Sequence, residues 1–301
     1  MTNLVKRRTI IFFEESLGQR GTTTALFDYA YYAREYLNLN VCIAYCPRQS
    51  SAEAIIRFQK EFPVVGVYDG EDLQKLVDNT QASWCYTIKF GIRDGWSVKN
   101  TRFLVHSVFC ADWAHAHGDT YAVVSESQSL KAGTSSSMPW VPHMYNLPKT
   151  TKNLREDCGI PSNACVFGRH GGPDTFNVQF VKDAIPTILE SDKDIWFIFL
   201  NTEKFIDHPR VIFLPATNDR LRVAEFINTC DAMIHARDYG ETFGISVLEF
   251  ACANKPVLTF VDEHCMKTHI LGGTSHLDIL EGQGIESVSY THLTLPTILL
   301  V

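Results

Sequence analysis

The sequence predicts an α/β protein built from two doubly wound units, each with a parallel sheet, and three observations support this. The chain has 301 residues, the length of about two domains at ~150 residues each. Apolar, β-branched runs alternate with amphipathic segments of helix length, which is the pattern of parallel strands joined by crossover helices. A turn-rich stretch, GTSSSMPWVPHMYNLPKTTKN, interrupts this rhythm at residues 133–153, and the rhythm then starts again.

The first half contains six apolar runs that are typical of strands and three segments that are typical of helices. The predicted strands are residues 9–13, 41–45, 64–68, 84–88, 103–107 and 121–125. The predicted helices are residues 22–36, 51–61 and 72–79. We expect these elements to form one α/β domain over residues 1–150.

The second half repeats the pattern after a linker near residues 147–153. The predicted strands are residues 165–168, 195–200, 211–213, 232–235 and 256–260, and the clearest helices are residues 178–190 and 220–230. We place the second domain at residues 151–287. Two such units provide binding loops at the carboxyl ends of their strands, where open α/β sheets hold ligands.

Composition and charge exclude several classes of protein. A hydrophobic content of 45% with 20% charged residues is typical of a soluble globular chain. A net charge of -7 argues against nucleic acid or an anionic membrane as the main partner. The nine cysteines form no CxxC pair, so we interpret them as reduced thiols. With neither a spanning segment nor a secretion signal in the sequence, we expect a cytoplasmic protein.

The first strand-to-helix loop, EESLGQRGTTTALFDYA, is a candidate binding loop. Gly18 and Gly21 allow tight turns, and Thr22 to Thr24 are expected to cap the next helix. The start of that helix would offer free amides to an anion or a sugar hydroxyl. A loop that is merely tight is the alternative, since the dinucleotide motif GxGxxG is absent.

The stretch YGETFGISVLEFACANKPVLTF carries two glutamates with seven residues between them. Glu241 precedes a predicted helix, and Thr242, Phe243 and Gly244 lie at its start, where amides are unpaired. Glu249 lies on the helix itself. Carboxylates bind sugar or ribose hydroxyls by accepting hydrogen bonds from them, so both glutamates are candidate ligand groups.

The end of this helix is also predicted. Asn254 can adopt the left-handed conformation that follows a helix, and Pro256 prevents the helix from continuing.

These residues resemble a known family. The EX7E pattern, preceded by a strand that ends in His and followed by PV, resembles the donor-site signature of retaining GT-B glycosyltransferases, notably glycosyltransferase family 4. The segments VPHMYNLP, LREDCGIP and CVFGRHGG resemble further segments of that family, so the resemblance covers nearly the whole chain. It implies two Rossmann-like domains that face each other across a cleft, with the first on the acceptor side and the second binding the nucleotide sugar.

The resemblance also implies roles for individual residues. Glu241 would contact the transferred sugar, Glu249 the ribose of the nucleotide and Arg169 the diphosphate. His106, at the end of a first-domain strand, would contact the sugar, and Gly18 would lie beside the phosphates.

One departure from the family pattern affects the phosphate site. The family commonly has a lysine shortly after the GR turn, but this chain reads GRHGGPDTF, with Asp174 near that place. We expect His170, or the amides of Gly171 and Gly172, to replace the lysine in part.

The implied function is transfer of a sugar from a nucleotide diphosphate donor to a hydroxyl acceptor, with retention and without a metal or other cofactor. The acceptor, whether glycan, protein or lipid, is not readable from the sequence. Alternatives are a GT-B epimerase that acts on the nucleotide sugar and a non-catalytic module that binds nucleotide sugars. A nicotinamide dehydrogenase is the weakest alternative, because neither unit has a GxGxxG turn.

Other candidate residues have ordinary structural explanations. His106 ends an apolar strand and would also fit a core histidine whose nitrogens are both bonded. His115 and His117 lack a third ligand for a metal. Asp192 and Asp194 form a DxD pattern, but in a turn at the amino end of a strand, so we predict no metal site.

The end of the chain is unusual. VSYTHLTLPTILLV resembles the translated read-through of a sequencing adapter, and we expect residues 288–301 to be non-native. The natural protein would then be longer, the second domain incomplete and this form weakly active or inactive. The alternative is a genuine C-terminal strand.

Overall fold

A computed structural model describes residues 7–132, 137–145, 147–238, 240–260, 276–280 and 285–289. The chain divides into two compact units, Met1–Met144 (unit 1) and Tyr145–Val301 (unit 2). None of the described helices is both long and apolar enough to cross a membrane.

Unit 1 contains one six-stranded sheet in which all pairs are parallel. The strands are β1 (Thr9–Glu14), β2 (Asn40–Tyr45), β3 (Val64–Gly66), β4 (Trp84–Lys89), β5 (Arg102–Ser107) and β6 (Thr120–Val123). Their order in the sheet is β3-β2-β1-β4-β5-β6. All six predicted strands are confirmed. Their apolar runs are nearly continuous because the central strands are buried on both faces.

Helices connect these strands. They are α1 (Gly21–Leu37), α2 (Ala52–Gln59), α3 (Gly70–Thr80) and α4 (Glu126–Lys131), with a short 3₁₀ turn at Trp113–His115. The Ser51 hydroxyl accepts from the Ala54 amide at the start of α2, and Asp69 caps α3 in the same way. The predicted α1, α2 and α3 are confirmed. Helix α4 was not predicted, because six residues are too few to show a helical period.

Unit 2 repeats the architecture. Its strands are β7 (Cys165–His170), β8 (Ile195–Leu200), β9 (Val211–Leu214), β10 (Ala232–His235), β11 (Val257–Phe260), β12 (His276–Leu280) and β13 (Ile285–Ser289). Their order is β12-β13-β11-β10-β7-β8-β9. Strands β7 to β11 pair in parallel, while β13 pairs antiparallel with both β11 and β12. The helices are α5 (Gln179–Ser191), α6 (Arg220–Thr229) and α7 (Ile245–Cys252).

The predicted strands of the second half, up to residue 260, are confirmed. Of residues 288–301, which we expect to be non-native, Val288 and Ser289 end β13, and the others lie outside the described residues.

Gly168 allows α6 to pack closely on the sheet of unit 2. A Cβ atom at this position would lie 2.1 Å from the Cys230 sulfur and 3.4 Å from Phe226 Cζ. Cys230 and Phe226 are fully buried, so neither side chain can move aside without disturbing the core. The glycine therefore sets how closely helix and sheet approach, directly before the strand end that carries Arg169.

We expect Gly168→Ala to destabilise the protein by about 1–3 kcal/mol, because the added methyl overpacks a filled core. Urea unfolding followed by fluorescence measures this. Gly18→Ala is the control, because a Cβ there would meet no atom within 4 Å. The double variant Gly168→Ala/Cys230→Ala should recover part of the loss. Equal stability of Gly168→Ala and Gly18→Ala would contradict the packing argument.

Candidate functional site

The candidate site of unit 2 is assembled by the pairing of two strands that are distant in sequence. Strand β10 lies beside β7, with Ala232 opposite Phe167. The loops that follow the two strands are fastened together, because Asn177 Nδ2 donates to Asp238 Oδ1 at 2.7 Å and the Asp238 amide donates back to Asn177 Oδ1 at 3.0 Å. The carboxyl end of the sheet, where α/β proteins bind ligands, thus has a fixed pair of loops.

Glu241 lies in the loop between β10 and α7 and has two nitrogen partners. Arg237 Nη1 donates to Oε2 at 2.6 Å, and His235 Nε2 lies 3.3 Å from Oε1. The Thr259 hydroxyl is 3.0 Å from the other ring nitrogen of His235. Burial acts to raise the pKa of Glu241, but His235 and Arg237 outweigh it and lower the pKa below its usual value. Glu241 is therefore a largely buried carboxylate that stays ionised.

Arg169 lies near the end of β7 and is almost completely buried. Its Nη1 donates to the Gly172 carbonyl at 3.0 Å and to the Thr202 hydroxyl at 2.6 Å, and its Nη2 donates to the Thr175 hydroxyl. Burial lowers the pKa of Arg169 to about 10, against the opposing effect of the Glu241 charge. The guanidinium remains charged at neutral pH and lies within electrostatic reach of Glu241.

Helix α7 begins later than predicted. Thr242 and Phe243 belong to the preceding loop, and Gly244 is the N-cap, with a φ of 78°. A side chain there would be strained, and its Cβ would lie 3.1 Å from Glu241 Cγ. The predicted end of the helix is confirmed, since Asn254 has a φ of 56° and the Lys255 amide closes the turn on the Phe250 carbonyl at 2.9 Å.

Glu249 lies on α7 and is buried, with different partners from those of Glu241. Its Oε2 is 2.6 Å from His170 Nε2. The ring of His170 stacks on Phe250, with centroids 6.0 Å apart. The structure thus places His170 against a candidate ribose carboxylate, not in the glycine-rich turn where a substitute for the missing lysine was expected.

The first loop of unit 1 differs from the prediction. Helix α1 begins at Gly21, its N-cap is Arg20, and no side chain caps it. The expectation that Thr22 to Thr24 cap the helix is wrong, because Thr22 already lies within α1 and donates to Glu14 Oε1 at 2.5 Å. Thr23 instead accepts from the Gly18 amide at 3.1 Å. Gly18 borders open space on its Cα, since a Cβ would meet nothing within 4 Å.

His106 ends β5 and is 3% exposed. Its Nε2 donates to the Val141 carbonyl at 3.0 Å, so Nδ1 accepts from the Tyr86 hydroxyl at 2.7 Å. Burial lowers the pKa of His106 to about 4, and the ring is neutral at neutral pH. These contacts match the alternative of a core histidine whose nitrogens are both bonded, and contact with a sugar would require one of them to break.

Glu14, at the end of β1, was missed by the sequence reasoning. It is 5% exposed, and among the described residues its Oε2 has no hydrogen-bond partner. Burial raises the pKa of Glu14 to about 7, although the Thr22 and Thr23 hydroxyls oppose this. The sequence signal for Glu14 was its position at the end of an apolar run, because ligands bind at the carboxyl ends of strands in α/β sheets.

Two residues around Glu241 were also missed as site residues. His235 entered the sequence argument only as part of a motif, and Arg237 not at all. Both fall in the segment HARDYG that follows β10, so a basic residue in a strand-to-helix loop was the signal. Among the described residues no three His, Cys, Asp or Glu side chains are grouped so that they could hold a metal ion.

Comparison with known proteins identifies solved structures of similar fold. HepE from Anabaena, solved with UDP and glucose, is 14% identical, with a TM-score of 0.59 over 83% of this chain and 80% of that one. A glycosyltransferase from Rickettsia africae is 13% identical, with a TM-score of 0.64 over 87% and 81%. A putative UDP-N-acetylglucosamine 2-epimerase from Listeria monocytogenes is 10% identical, with a TM-score of 0.51 over 85% and 80%.

The chain has the GT-B fold. No protein-family model matches it, and no curated protein matches its sequence. At these identities the likeness establishes the fold and not an activity. Transferases and an epimerase share this GT-B fold, so the choice between them depends on the chemistry of the site.

The burial of Glu14 predicts a pH-dependent stability for unit 1. Below pH 4.5, its unfolded value, the carboxyl is protonated in both states. As the pH rises toward about 7, the unfolded state ionises and the folded state does not, so stability falls. We expect Glu14→Gln to match the wild type near pH 4.5 and to exceed it by roughly 3 kcal/mol at pH 8.

Urea unfolding at pH 5 and pH 8 measures the difference. Glu53→Gln, at an exposed position of unit 1, is the control and should change stability equally at both values. An advantage of Glu14→Gln that does not grow with pH would refute the assignment.

Proposed function

We propose that this chain is a retaining glycosyltransferase that resembles glycosyltransferase family 4. It would move a sugar from a nucleotide diphosphate donor to a hydroxyl acceptor, without a metal. HepE, of similar fold, was solved with UDP and glucose, which makes a uridine nucleotide the first donor to test.

The residues of unit 2 take the following roles in this proposal. Glu241 binds the transferred sugar, and Arg169 binds the diphosphate. The amides of Thr242, Phe243 and Gly244, in the turn before α7, lie beside the phosphates. Arg237 provides the second cation that the missing lysine would have supplied. It lies close enough to Arg169 for its charge to lower the pKa of that guanidinium. Gly18 and His106 of unit 1 remain predicted donor contacts.

One observation carries the proposal: an ionised carboxylate and two guanidinium groups lie together in a largely buried corner of unit 2. Glu241 pairs with Arg237 at 2.6 Å, and its charge reaches Arg169. Fixed charges in a desolvated site stabilise charge that develops in a reaction, because they do not need to reorganise. A departing diphosphate is the species that two guanidinium groups stabilise best.

Epimerisation of a nucleotide sugar is the second candidate. Its support is the similar fold of the Listeria monocytogenes epimerase. Both activities need the nucleotide site, but an epimerase acts on the donor alone. Incubation with a UDP-sugar and no acceptor, followed by NMR of the sugar, separates the two: a change at one sugar carbon identifies an epimerase, while release of UDP that rises with added glycosides identifies a transferase.

The donor site is tested first by thermal stabilisation with UDP-, GDP- and ADP-sugars. We expect one nucleotide class to raise the melting temperature. Glu249→Ala should weaken binding of that nucleotide by about 1–3 kcal/mol, because a buried ribose hydroxyl loses its acceptor. Calorimetry measures the affinity, and Glu190→Ala, at an exposed position on α5, is the control. Unchanged affinity in Glu249→Ala would exclude the ribose role.

The role of Glu241 is tested by turnover. Glu241→Gln keeps the shape of the side chain and removes the charge. We expect it to reduce release of the nucleoside diphosphate by about 100-fold or more while nucleotide affinity stays within about threefold, as for a group that acts in the transition state. Glu190→Gln is the control. A loss of affinity as large as the loss of turnover would indicate a binding role instead.

A further inference from the structure

A second group of polar side chains surrounds Glu249 and is separate from the partners of Glu241. It consists of Tyr145, His170, Arg220 and Glu249, and we refer to it as the polar box. His170 ends β7 and Arg220 begins α6, so both lie at the carboxyl edge of the sheet of unit 2. Tyr145 and Glu249 are buried, whereas His170 and Arg220 are partly exposed.

The polar box is held together by packing and by charge. The Arg220 guanidinium lies over the Tyr145 ring, 4.6 Å from its centroid. Burial raises the pKa of the Tyr145 hydroxyl, the Glu249 charge raises it further, and the Arg220 charge opposes both. The phenol therefore lies within reach of a carboxylate and a guanidinium at once.

The Tyr145 hydroxyl meets Glu249, the candidate ribose carboxylate. Glu249 and Arg220 are both side-chain hydrogen-bond partners of this hydroxyl, and Glu249 Oε2 also pairs with His170 Nε2 at 2.6 Å. None of these contacts is well directed, because Tyr145 Oη, His170 Nε2 and Glu249 Oε2 have no hydrogen bond of regular geometry among the described residues. A ligand with adjacent hydroxyls would replace these contacts with directed hydrogen bonds.

We infer that the Tyr145 hydroxyl is a second ribose-binding group, which together with Glu249 brackets the 2′- and 3′-hydroxyls of a nucleoside diphosphate. This rests on the proposed donor site. A phenol both donates and accepts, while an ionised carboxylate only accepts, so the pair suits two adjacent hydroxyls.

The experiment compares ribose and dideoxyribose nucleotides in two proteins. Calorimetry first gives the affinity of the wild type for UDP, GDP and ADP, and the tightest of these is paired with its 2′,3′-dideoxy form. We expect the wild type to prefer the ribose form about tenfold or more. Tyr145→Phe keeps the ring under Arg220 and should bind the ribose form about fivefold more weakly, with the dideoxy form unchanged.

A matched control is available in unit 1. Tyr68 also lies beneath an arginine, with the Arg48 guanidinium 5.4 Å from its ring centroid, but its side chain is exposed. Tyr68→Phe removes the same hydroxyl and should leave both affinities unchanged. The melting temperature of each variant confirms that it is folded.

The outcomes separate this inference from the function on which it rests. If the wild type binds none of the three nucleotides, the proposed function and this inference both fail. If the wild type binds but Tyr145→Phe binds equally well, or loses affinity equally for the ribose and dideoxy forms, only this inference fails. A wild type that binds both forms equally also overturns it, whatever the variant does.

Discussion

The parallel pairing of β7 with β10 is the constraint on which the candidate site depends. It places the end of β7, with Arg169 and His170, beside the end of β10, with His235, although the two strands are far apart in sequence. The pairing leaves room for α6 only because residue 168 has no side chain. Once the strands are paired, every loop that follows them emerges at one edge, and the amide of Asn177 fastens two of those loops to one another.

Burial at the carboxyl edge of this sheet strengthens the electrostatic interactions of the charged side chains there. An isolated buried carboxylate would be protonated, yet Glu241 remains ionised because Arg237 and His235 compensate for the lost water. Removing one partner of a buried ion pair lowers stability by more than the intact pair contributes, because the remaining charge is left unpaired. His235 and Arg237 are therefore as necessary to this part of the structure as Glu241 itself. With Arg169, the corner has two guanidinium groups and one carboxylate, an excess of positive charge that complements a diphosphate.

The sequence predicts the fold and the place of the site, but not the interactions inside it. Strands and long helices follow from local periodicity. Glu241 and Glu249 could be selected from their spacing around a predicted helix start, whereas Arg169 was selected only through the family resemblance. The capping error at Thr22 to Thr24 has a local cause, since Thr22 lies inside α1 and its hydroxyl donates to the Glu14 carboxylate instead of accepting from a helix amide.

The interactions that sequence reasoning could not supply join segments that are distant in the chain. The contact between His170 and Glu249 requires β7 and α7 to meet, and the setting of Tyr145 requires the start of unit 2 to lie against α6. The raised pKa of Glu14 depends on how completely the surrounding chain excludes water. Such desolvation is a property of the packed molecule, so no pattern of residues along the chain specifies its size.

The buried ionisable groups near the strand ends differ in charge between the two units. In unit 1 the surroundings favour neutral forms: burial raises the pKa of Glu14 to about 7 and lowers that of His106 to about 4. In unit 2 two largely buried groups keep their charge: His235 and Arg237 lower the pKa of Glu241, and Arg169 stays protonated although burial lowers its pKa to about 10. A neutral polar interior suits hydroxyl groups, which exchange hydrogen bonds without adding charge, whereas a charged corner suits an anionic leaving group. This difference agrees with the proposed reaction, in which an uncharged acceptor takes a sugar from a nucleotide diphosphate.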